Sequence, residues 1–234
     1  MKILAFESSA GPASVSLCED ERQIACIWQN SGLTHSATLL PMAEQLLASC
    51  GTTLSQIDLF AVAHGPGSFT GLRIGVSTVK GLAQGLDRPC AGISTLEAMA
   101  YNQPRGSSIL CCVMDARVKQ VYNALFDLSG EYPVRLCDDR AIALDALQSS
   151  LAGYEHITLT GDGTQLCLKT LQHSSIAAAA ETLRWQHAYG VARAAFHHGV
   201  SGSAAALVPH YLRLPQAERE RLERLAREQS QQSN

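Results

Sequence analysis

Residues 65–75, Gly-Pro-Gly-Ser-Phe-Thr-Gly-Leu-Arg-Ile-Gly, connect an apolar run at residues 59–63 to a long helical pattern. Glycine permits positive φ and close backbone approach, and proline fixes φ, so their density here predicts a tight turn from a buried strand into a helix. The spacing Gly-x-Gly-x-x-x-Gly matches neither the P-loop nor the dinucleotide-binding fingerprint. Two interpretations follow: a turn needed only for packing, or a helix N-terminus that meets an anion or a docked partner.

The helix predicted over residues 71–86 carries small residues between its apolar and polar faces. Its apolar face repeats at the helical period and comprises Leu72, Val76, Val79, Ala83 and Leu86. The residues expected to contact a partner lie beside that face and are Gly71, Arg73, Ile74, Gly75, Ser77, Thr78, Lys80 and Gly81. A glycine inside a helix costs about 1 kcal/mol relative to alanine, so this series favours close approach of another helix, within the fold or across a subunit boundary.

Composition indicates a globular protein. The 234 residues are 46% hydrophobic and 17% charged, which is typical of a folded chain with a rather apolar surface. The formal net charge of −3 argues against nucleic-acid binding by bulk electrostatics, so contact with RNA would need a partner. No apolar stretch reaches the roughly 20 residues that span a membrane, and we expect a cytoplasmic protein.

The eight cysteines are scattered along the chain without a Cys-x-x-Cys pair. The vicinal Cys111 and Cys112 lie inside an apolar strand pattern and would face opposite sides of it. Disulfides are rare in reducing compartments and zinc sites use closely spaced pairs, so the cysteines are interpreted as small core residues.

The first hundred residues show alternating apolar patterns that predict a mixed sheet with helices on its faces. The predicted elements are strands at 2–8, 14–18 and 23–28, a helix with Leu39, Met42, Ala43, Leu46 and Leu47 on one face, a strand at 59–63, the helix 71–86 and a strand at 89–93.

A polar break at residues 101–108 is followed by the same order of elements, which predicts a duplicated lobe. The predicted elements are strands at 109–114, 120–126 and 134–137, a helix over about 140–151, a strand at 156–160 and alanine-rich helices up to Gly199. We therefore expect a first lobe at residues 1–100, a second at 101–215 and a charged helical tail at 216–234.

Six segments, in order, resemble the TsaB (YeaZ) family. They are Ile3-Leu4-Ala5-Phe6-Glu7-Ser8-Ser9, Ser14-Val15-Ser16-Leu17, His35-Ser36 with Leu39-Leu40-Pro41, the 65–75 stretch, Met114-Asp115-Ala116-Arg117 and Pro209-His210-Tyr211-Leu212-Arg213. The resemblance covers about residues 1–213, and the 65–75 stretch with Met114-Asp115-Ala116-Arg117 is its most specific part. It implies an α/β, two-lobed actin-like fold (ASKHA, ribonuclease H-like) with duplicated βββαβα lobes.

The resemblance also implies a function in tRNA modification. The family is the non-catalytic paralogue of TsaD, and it works with TsaD and the ATPase TsaE to place threonylcarbamoyl on adenosine 37 of tRNAs that read codons beginning with A. We therefore expect a subunit that is not itself an enzyme, holds no cofactor, pairs through helix 71–86 with a TsaD-like catalytic subunit and acts with a TsaE-like ATPase. It would reach tRNA only through that complex, form a homodimer in isolation and have no membrane contact.

Two comparisons with catalytic relatives bear on that expectation. TsaD-type paralogues carry a His-x-x-x-His pair that holds a metal, and Thr95 and Met99 stand at the corresponding positions here. The resemblance therefore implies no metal site and no catalytic residue.

The phosphate-binding hairpins of an actin-like cleft are atypical in this sequence. The first hairpin contains Glu7, Ser8 and Ser9, and the second begins at Asp115 without glycine, so these four are candidates for residual nucleotide binding only. Arg73 and Lys80 are expected to position an acidic partner group or a nucleotide phosphate at the subunit boundary. The alternative, an ATP-dependent phosphotransferase of the actin and sugar-kinase fold, stays open at this point.

Overall fold

Alternating apolar strands build two sheets with the same strand order. The computed structural model describes residues 1–106, 109–199, 201–213 and 224. The strands are β1 (Lys2–Glu7), β2 (Ala13–Glu19), β3 (Arg22–Gln29), β4 (Leu59–Gly65), β5 (Cys90–Ser94), β6 (Ile109–Asp115), β7 (Gln120–Asp127), β8 (Val134–Arg135), β9 (Arg140–Ala143), β10 (Ile157–Thr160) and β11 (Ile176–Ala178). The helices are α1 (His35–Ser49), α2 (Phe69–Gly85), α3 (Thr95–Tyr101), α4 (Leu144–Leu151), α5 (Thr164–Thr170), α6 (Glu181–Arg184) and α7 (Ala188–His198), with a 3₁₀ turn at Leu54–Gln56.

Strand pairing repeats between the two halves of the chain. The first sheet has the order β3-β2-β1-β4-β5, in which β2 is antiparallel to β1 and β4 is parallel to it. The second sheet has the order β11-β10-β6-β7-β8, in which β7 is antiparallel to β6 and β10 is parallel to it. This duplication confirms the expected two-lobed, actin-like fold.

The two faces of each sheet are covered by different helices, because successive strand residues point to opposite sides. Leu4 and Phe6 pack under α1 and α2, whereas Ile3 and Ala5 pack against α7. In the second sheet, one face packs on α3 and the other on α4 and α5. Cys111 and Cys112 are fully buried on opposite faces, as the sequence predicts. All eight cysteines are free thiols, but Cys26, Cys50 and Cys137 are only partly buried, so the prediction of core positions is wrong for these three.

Helix α7 comes from the second half of the chain but packs on the first sheet, where its small residues fill the space against β1 and β4. It ends at Gly199, whose φ of +58° is the left-handed conformation that favours glycine. The division of the chain near residue 100 stays a prediction, and the tail at 216–234 lies, apart from Arg224, outside the described residues.

Two sequence predictions for the second lobe are wrong. The strand expected at 134–137 ends at Arg135, and residues 140–143 form β9 where a helix was expected to begin. Strand β9 pairs with β7, and the Arg140 guanidinium donates its Nε–H to the Oδ1 atom of Asn123, a fully buried residue, at 3.0 Å. This contact joins residues that no local pattern connects. Strand β11 was also not anticipated.

Candidate functional site

Four of the sequence segments singled out above meet in one cleft between the lobes. The cleft has a volume of about 510 Å³. It is lined by Ser9, Ala10 and Gly11 of the β1–β2 turn, Gly67, Ser68, Phe69 and Thr70 at the start of α2, Met114, Asp115, Ala116, Arg117 and Tyr122 of the β6–β7 hairpin, and by Asp162 and Arg213. A volume of this size suits a small molecule or a short peptide segment.

The turn before α2 closes over the first hairpin. The Ser68 N–H donates to the Ser9 carbonyl oxygen at 2.7 Å, and the Ser68 side chain caps α2 by accepting from the Gly71 N–H. A Cβ atom at Gly71 would lie 2.0 Å from the Ser8 carbonyl oxygen, so only glycine fits there. The Ser8 Oγ–H in turn donates to the Gly71 carbonyl oxygen at 2.9 Å. The start of α2 is therefore packed directly against Ser8 and Ser9 of the first hairpin.

Glu7 lies beneath this closure and is fully buried. Its Oε1 atom accepts the Ser9 N–H at 2.6 Å, and its Oε2 atom has no hydrogen-bond partner among the described residues. Burial raises the pKa of Glu7 to about 7, and the Asp162 carboxylate adds to the effect. Of the four candidate nucleotide residues, Ser9 and Asp115 line the cleft, while Glu7 and Ser8 are buried behind it.

The second hairpin holds an unusual backbone. Arg117, Val118 and Lys119 have φ values of 64°, 53° and 55°, three successive left-handed residues without glycine. Each such residue costs about 1–2 kcal/mol. The Asp115 Oδ1 atom accepts the Arg117 N–H at 2.8 Å and holds the start of this turn.

Asp162 is the second acidic group of the cleft. The Gln186 amide donates to its Oδ1 atom at 3.3 Å. Burial raises the pKa of Asp162 to about 6, and the neighbouring Asp115 contributes in the same direction.

Residues 201–213, here called the return segment, run from the first sheet to the mouth of the cleft. Gly202 forms an isolated bridge with Cys90, Leu207 is buried in the core under α2, and the His210 N–H donates to the His64 carbonyl oxygen at 2.7 Å. The Lys80 ammonium donates to the carbonyl oxygens of Ala205 and Leu207. Lys80 therefore holds this segment and is not a free cation on the helix surface.

The end of the return segment crosses to the second lobe. Tyr211 stacks on Phe69 with ring centroids 4.6 Å apart, and its hydroxyl accepts the Arg73 Nε–H at 3.0 Å. Arg213 donates to the Ala116 carbonyl oxygen at 2.5 Å. Sequence reasoning quoted residues 209–213 but did not place them here, because these contacts join positions about a hundred residues apart.

The expected partner-contact residues of α2 divide into two groups. Gly71 and Gly75 are buried, and a Cβ atom at Gly75 would lie 2.5 Å from the Ser8 Oγ atom, so these two positions serve the internal packing of the helix. The surface-facing group, here called the α2 stripe, consists of Ile74, Ser77, Thr78 and Gly81. Nothing lies within 4 Å of the Cβ position of Gly81, and Arg73 is exposed beside the stripe. The neighbouring helix α1 exposes 44% of Leu40.

Thr95 and Met99 lie on α3 and are buried, at 0% and 1% exposure. Across the part of the chain that the structure describes, no group of three or more His, Cys, Asp or Glu side chains is arranged to hold a metal ion. Among the same residues, no helix has the length and apolar character needed to cross a bilayer.

Comparison with known proteins first places the chain among proteins related to tRNA threonylcarbamoyltransferases. Residues 29–220 match the family model TsaD, tRNA N6-adenosine threonylcarbamoyltransferase. YeaZ from Pseudomonas aeruginosa has a similar structure, with a TM-score of 0.77, 26% identity and coverage of 90% of this chain and 99% of that one.

Two curated relatives narrow the class. Both carry the description tRNA threonylcarbamoyladenosine biosynthesis protein TsaB. The Bacillus subtilis protein is 30% identical over 93% of this chain and 96% of its own length, and the Escherichia coli protein is 37% identical over 52% of this chain and 53% of its own length. The aligned part thus spans about half of the E. coli relative and nearly all of the B. subtilis one. The chain belongs to the TsaB family.

Proposed function

We propose that the protein is a non-catalytic partner subunit for threonylcarbamoylation of adenosine 37 in tRNAs that read codons beginning with A. It acts in the cytoplasm with a TsaD-like catalytic subunit and a TsaE-like ATPase. The observation that carries this proposal is the state of the first hairpin: the Ser9 N–H is already bound by the Glu7 carboxylate, and the Ser8 hydroxyl is bound to Gly71 of the same chain, so neither group is free to hold a phosphate. Membership of the TsaB family indicates the pathway, which is the biosynthesis of threonylcarbamoyladenosine in tRNA.

The α2 stripe is the proposed contact for the catalytic subunit. Its small side chains and the open space at Gly81 allow another helix to approach closely. In the absence of the partner, the same surface would pair with a second copy of the chain, because an isologous contact covers both stripes at once.

The proposed contact with tRNA is indirect. The formal net charge of the chain is −3, and the Lys80 ammonium is engaged with the return segment. Arg73 keeps part of its guanidinium free beside the stripe, where it suits one acidic group of a partner better than a nucleic-acid backbone.

A bulky residue on the stripe tests the contact. We expect Gly81→Trp to abolish pairing with the TsaD-like subunit and to leave the isolated chain monomeric in sedimentation velocity. Gly153→Trp is the matched control, because Gly153 also has nothing within 4 Å of its Cβ position but lies in the second lobe. Pairing of Gly81→Trp at wild-type affinity would remove the stripe from the interface.

The absence of catalysis is tested by reconstitution. Transfer of threonylcarbamoyl to tRNA should require the TsaD-like subunit, the ATPase and this chain together. Transfer by this chain alone would overturn the proposal.

A phosphotransferase remains the second candidate, because the cleft is open and retains Asp115 and Asp162. Calorimetric titration of the isolated chain with Mg-ATP separates the two. Absence of binding heat supports a function as a partner subunit. Micromolar binding followed by phosphoryl transfer to a small acceptor supports a function as a kinase.

A further inference from the structure

The segment Tyr132 to Asp139 contains the edge strand β8 of the second sheet and contacts the first lobe at several points. We infer that these residues, here called the latch segment, lock the two lobes at a fixed angle, so that the cleft does not open by rotation of one lobe against the other. This inference does not depend on the proposed function.

The first contact of the latch segment reaches the turn between β2 and β3. The Tyr132 hydroxyl donates to the Glu21 Oε1 atom at 2.7 Å. Glu21 is held from the other side by Arg193 of α7, whose Nη2 atom lies 3.8 Å from Oε2, and its carbonyl oxygen accepts the Tyr189 hydroxyl at 3.1 Å. A second-lobe side chain thus bonds to a carboxylate of the first lobe that α7 already holds in place.

The second contact reaches the junction of β5 and α3. The Ser94 hydroxyl donates to the Asp139 Oδ2 atom at 2.5 Å, and Arg135 binds the Oδ1 atom of the same carboxylate at 2.5 Å. Arg135 also lies 3.8 Å from the Glu97 carboxylate. The side chains of Arg135, Asp139 and Glu97 are only 27%, 9% and 19% exposed, so water screens these charges less than it screens surface pairs.

Aromatic stacking closes the space between the two contacts. The His197 ring of α7 stacks on Tyr132 with ring centroids 3.8 Å apart, and the His198 Nε2 atom lies 3.0 Å from the Glu97 Oε1 atom. The cavity beside Tyr132 and Arg193 has a volume of only about 30 Å³, which leaves room for about one water molecule.

These contacts oppose lobe rotation because they lie on different elements of the first lobe and on α7, which packs on the first sheet. A rotation that opened the cleft would have to break the Tyr132–Glu21 hydrogen bond, the Asp139–Ser94 hydrogen bond or the His197–Tyr132 stack. The return segment adds a further tie at the mouth of the cleft through Arg213 and Ala116. The latch segment therefore keeps both lobes, and any partner bound to one of them, in a constant orientation.

The test is hydrogen–deuterium exchange of the intact chain with two substitutions, Tyr132→Phe and Asp139→Asn. Tyr132→Phe removes the hydroxyl donor, and Asp139→Asn removes the negative charge and one acceptor oxygen, while both substitutions keep the shape of the side chain. In the double variant we expect exchange to rise at least tenfold in peptides that cover the β6–β7 hairpin and the return segment, while β1 and β6 keep wild-type protection.

The matched control is Arg105→Ala, which breaks a neighbouring pair with Glu131 whose side chains are 66% and 71% exposed. It should leave exchange at the cleft unchanged. If the double variant loses protection only within residues 132–139, the segment stabilises itself alone and the inference is wrong. If β1 and β6 lose protection as well, these contacts maintain the fold as a whole and the inference is equally wrong.

Discussion

Glycine has two separate roles along α2. Gly71 and Gly75 sit where any side chain would collide with Ser8, whereas Gly81 faces open space. The sequence alone does not distinguish these three glycines, because each interrupts a helical pattern. Only the position of Ser8, more than sixty residues earlier in the chain, separates the packing glycines from the surface glycine.

Alanine substitution should separate these roles. Gly81→Ala should raise the free energy of unfolding by about 0.5–1 kcal/mol, because alanine is the better helix former and meets no neighbour. Gly71→Ala should lower it by more than that gain, because the new Cβ atom would lie 2.0 Å from a backbone oxygen that cannot move freely. Urea unfolding of both variants measures these two changes in the free energy of unfolding. Equal changes would contradict the assignment of Gly71 to packing and of Gly81 to the surface.

Glu7 should make stability depend on pH. Its pKa rises from the ordinary value of 4.5 to about 7 in the folded chain, so the folded state binds more protons than the unfolded state between these values. Stability should therefore fall as pH rises from about 4.5 to 7 and level off above, with a total change of about 3 kcal/mol from this group. Asp162, whose pKa is also raised, contributes in the same direction.

Glu7→Gln should flatten that profile and make the protein more stable than the wild type at pH 8. Denaturant unfolding at pH 5, 6, 7 and 8 measures the free energy of unfolding of both proteins. Glu44→Gln, on the exposed face of α1, is the control and should retain the wild-type slope. A profile unchanged by Glu7→Gln would show that its carboxyl group is ionised throughout.

At the scale of elements, α2 and the return segment depend on each other. Lys80→Met keeps the aliphatic stem but removes the ammonium that binds the Ala205 and Leu207 carbonyl oxygens. We expect faster hydrogen exchange in peptides covering residues 203–210, with little change in α2 itself. Lys169→Met, in the last turn of α5, is the control. Unchanged exchange at 203–210 would contradict a holding role for Lys80.

Elements with strong internal periodicity could be predicted from the sequence. The five apolar residues predicted to form the buried face of α1 are all buried, and α2 begins and ends within two residues of its expected limits. Strand β9 could not be predicted, because its stability depends on pairing with β7 and on the buried Asn123. Most residues of the cleft could be predicted from motifs. Their contact with Arg213 could not be predicted, because local sequence does not encode contacts between distant segments.

At the scale of the molecule, helix layers and sheets alternate: α1 and α2, the first sheet, α3 and α7, the second sheet, then α4 and α5. The third layer is shared, because α7 covers the first sheet while α3 also packs on the second. Neither sheet is therefore covered by its own half of the chain alone.

A fragment of residues 1–106 should consequently fail to fold on its own. Without α7, the face of the first sheet that carries Ile3, Ala5 and Ala61 would be open to water. We expect the fragment to aggregate in size-exclusion chromatography, whereas residues 1–213 should elute as a folded species with one cooperative thermal transition. A monomeric, cooperatively unfolding fragment 1–106 would contradict this dependence on α7.

The late position of α7 also affects the protein while it is being made. Synthesis proceeds at about 5–20 residues per second, so the roughly 100 residues between the end of the first lobe and the end of α7 take roughly 5 to 20 s to emerge from the ribosome. Throughout that interval the apolar residues that α7 covers in the folded chain have no helix to pack against. The first lobe can therefore complete its core only after α7 has emerged, and until then its apolar residues are open to association with other chains.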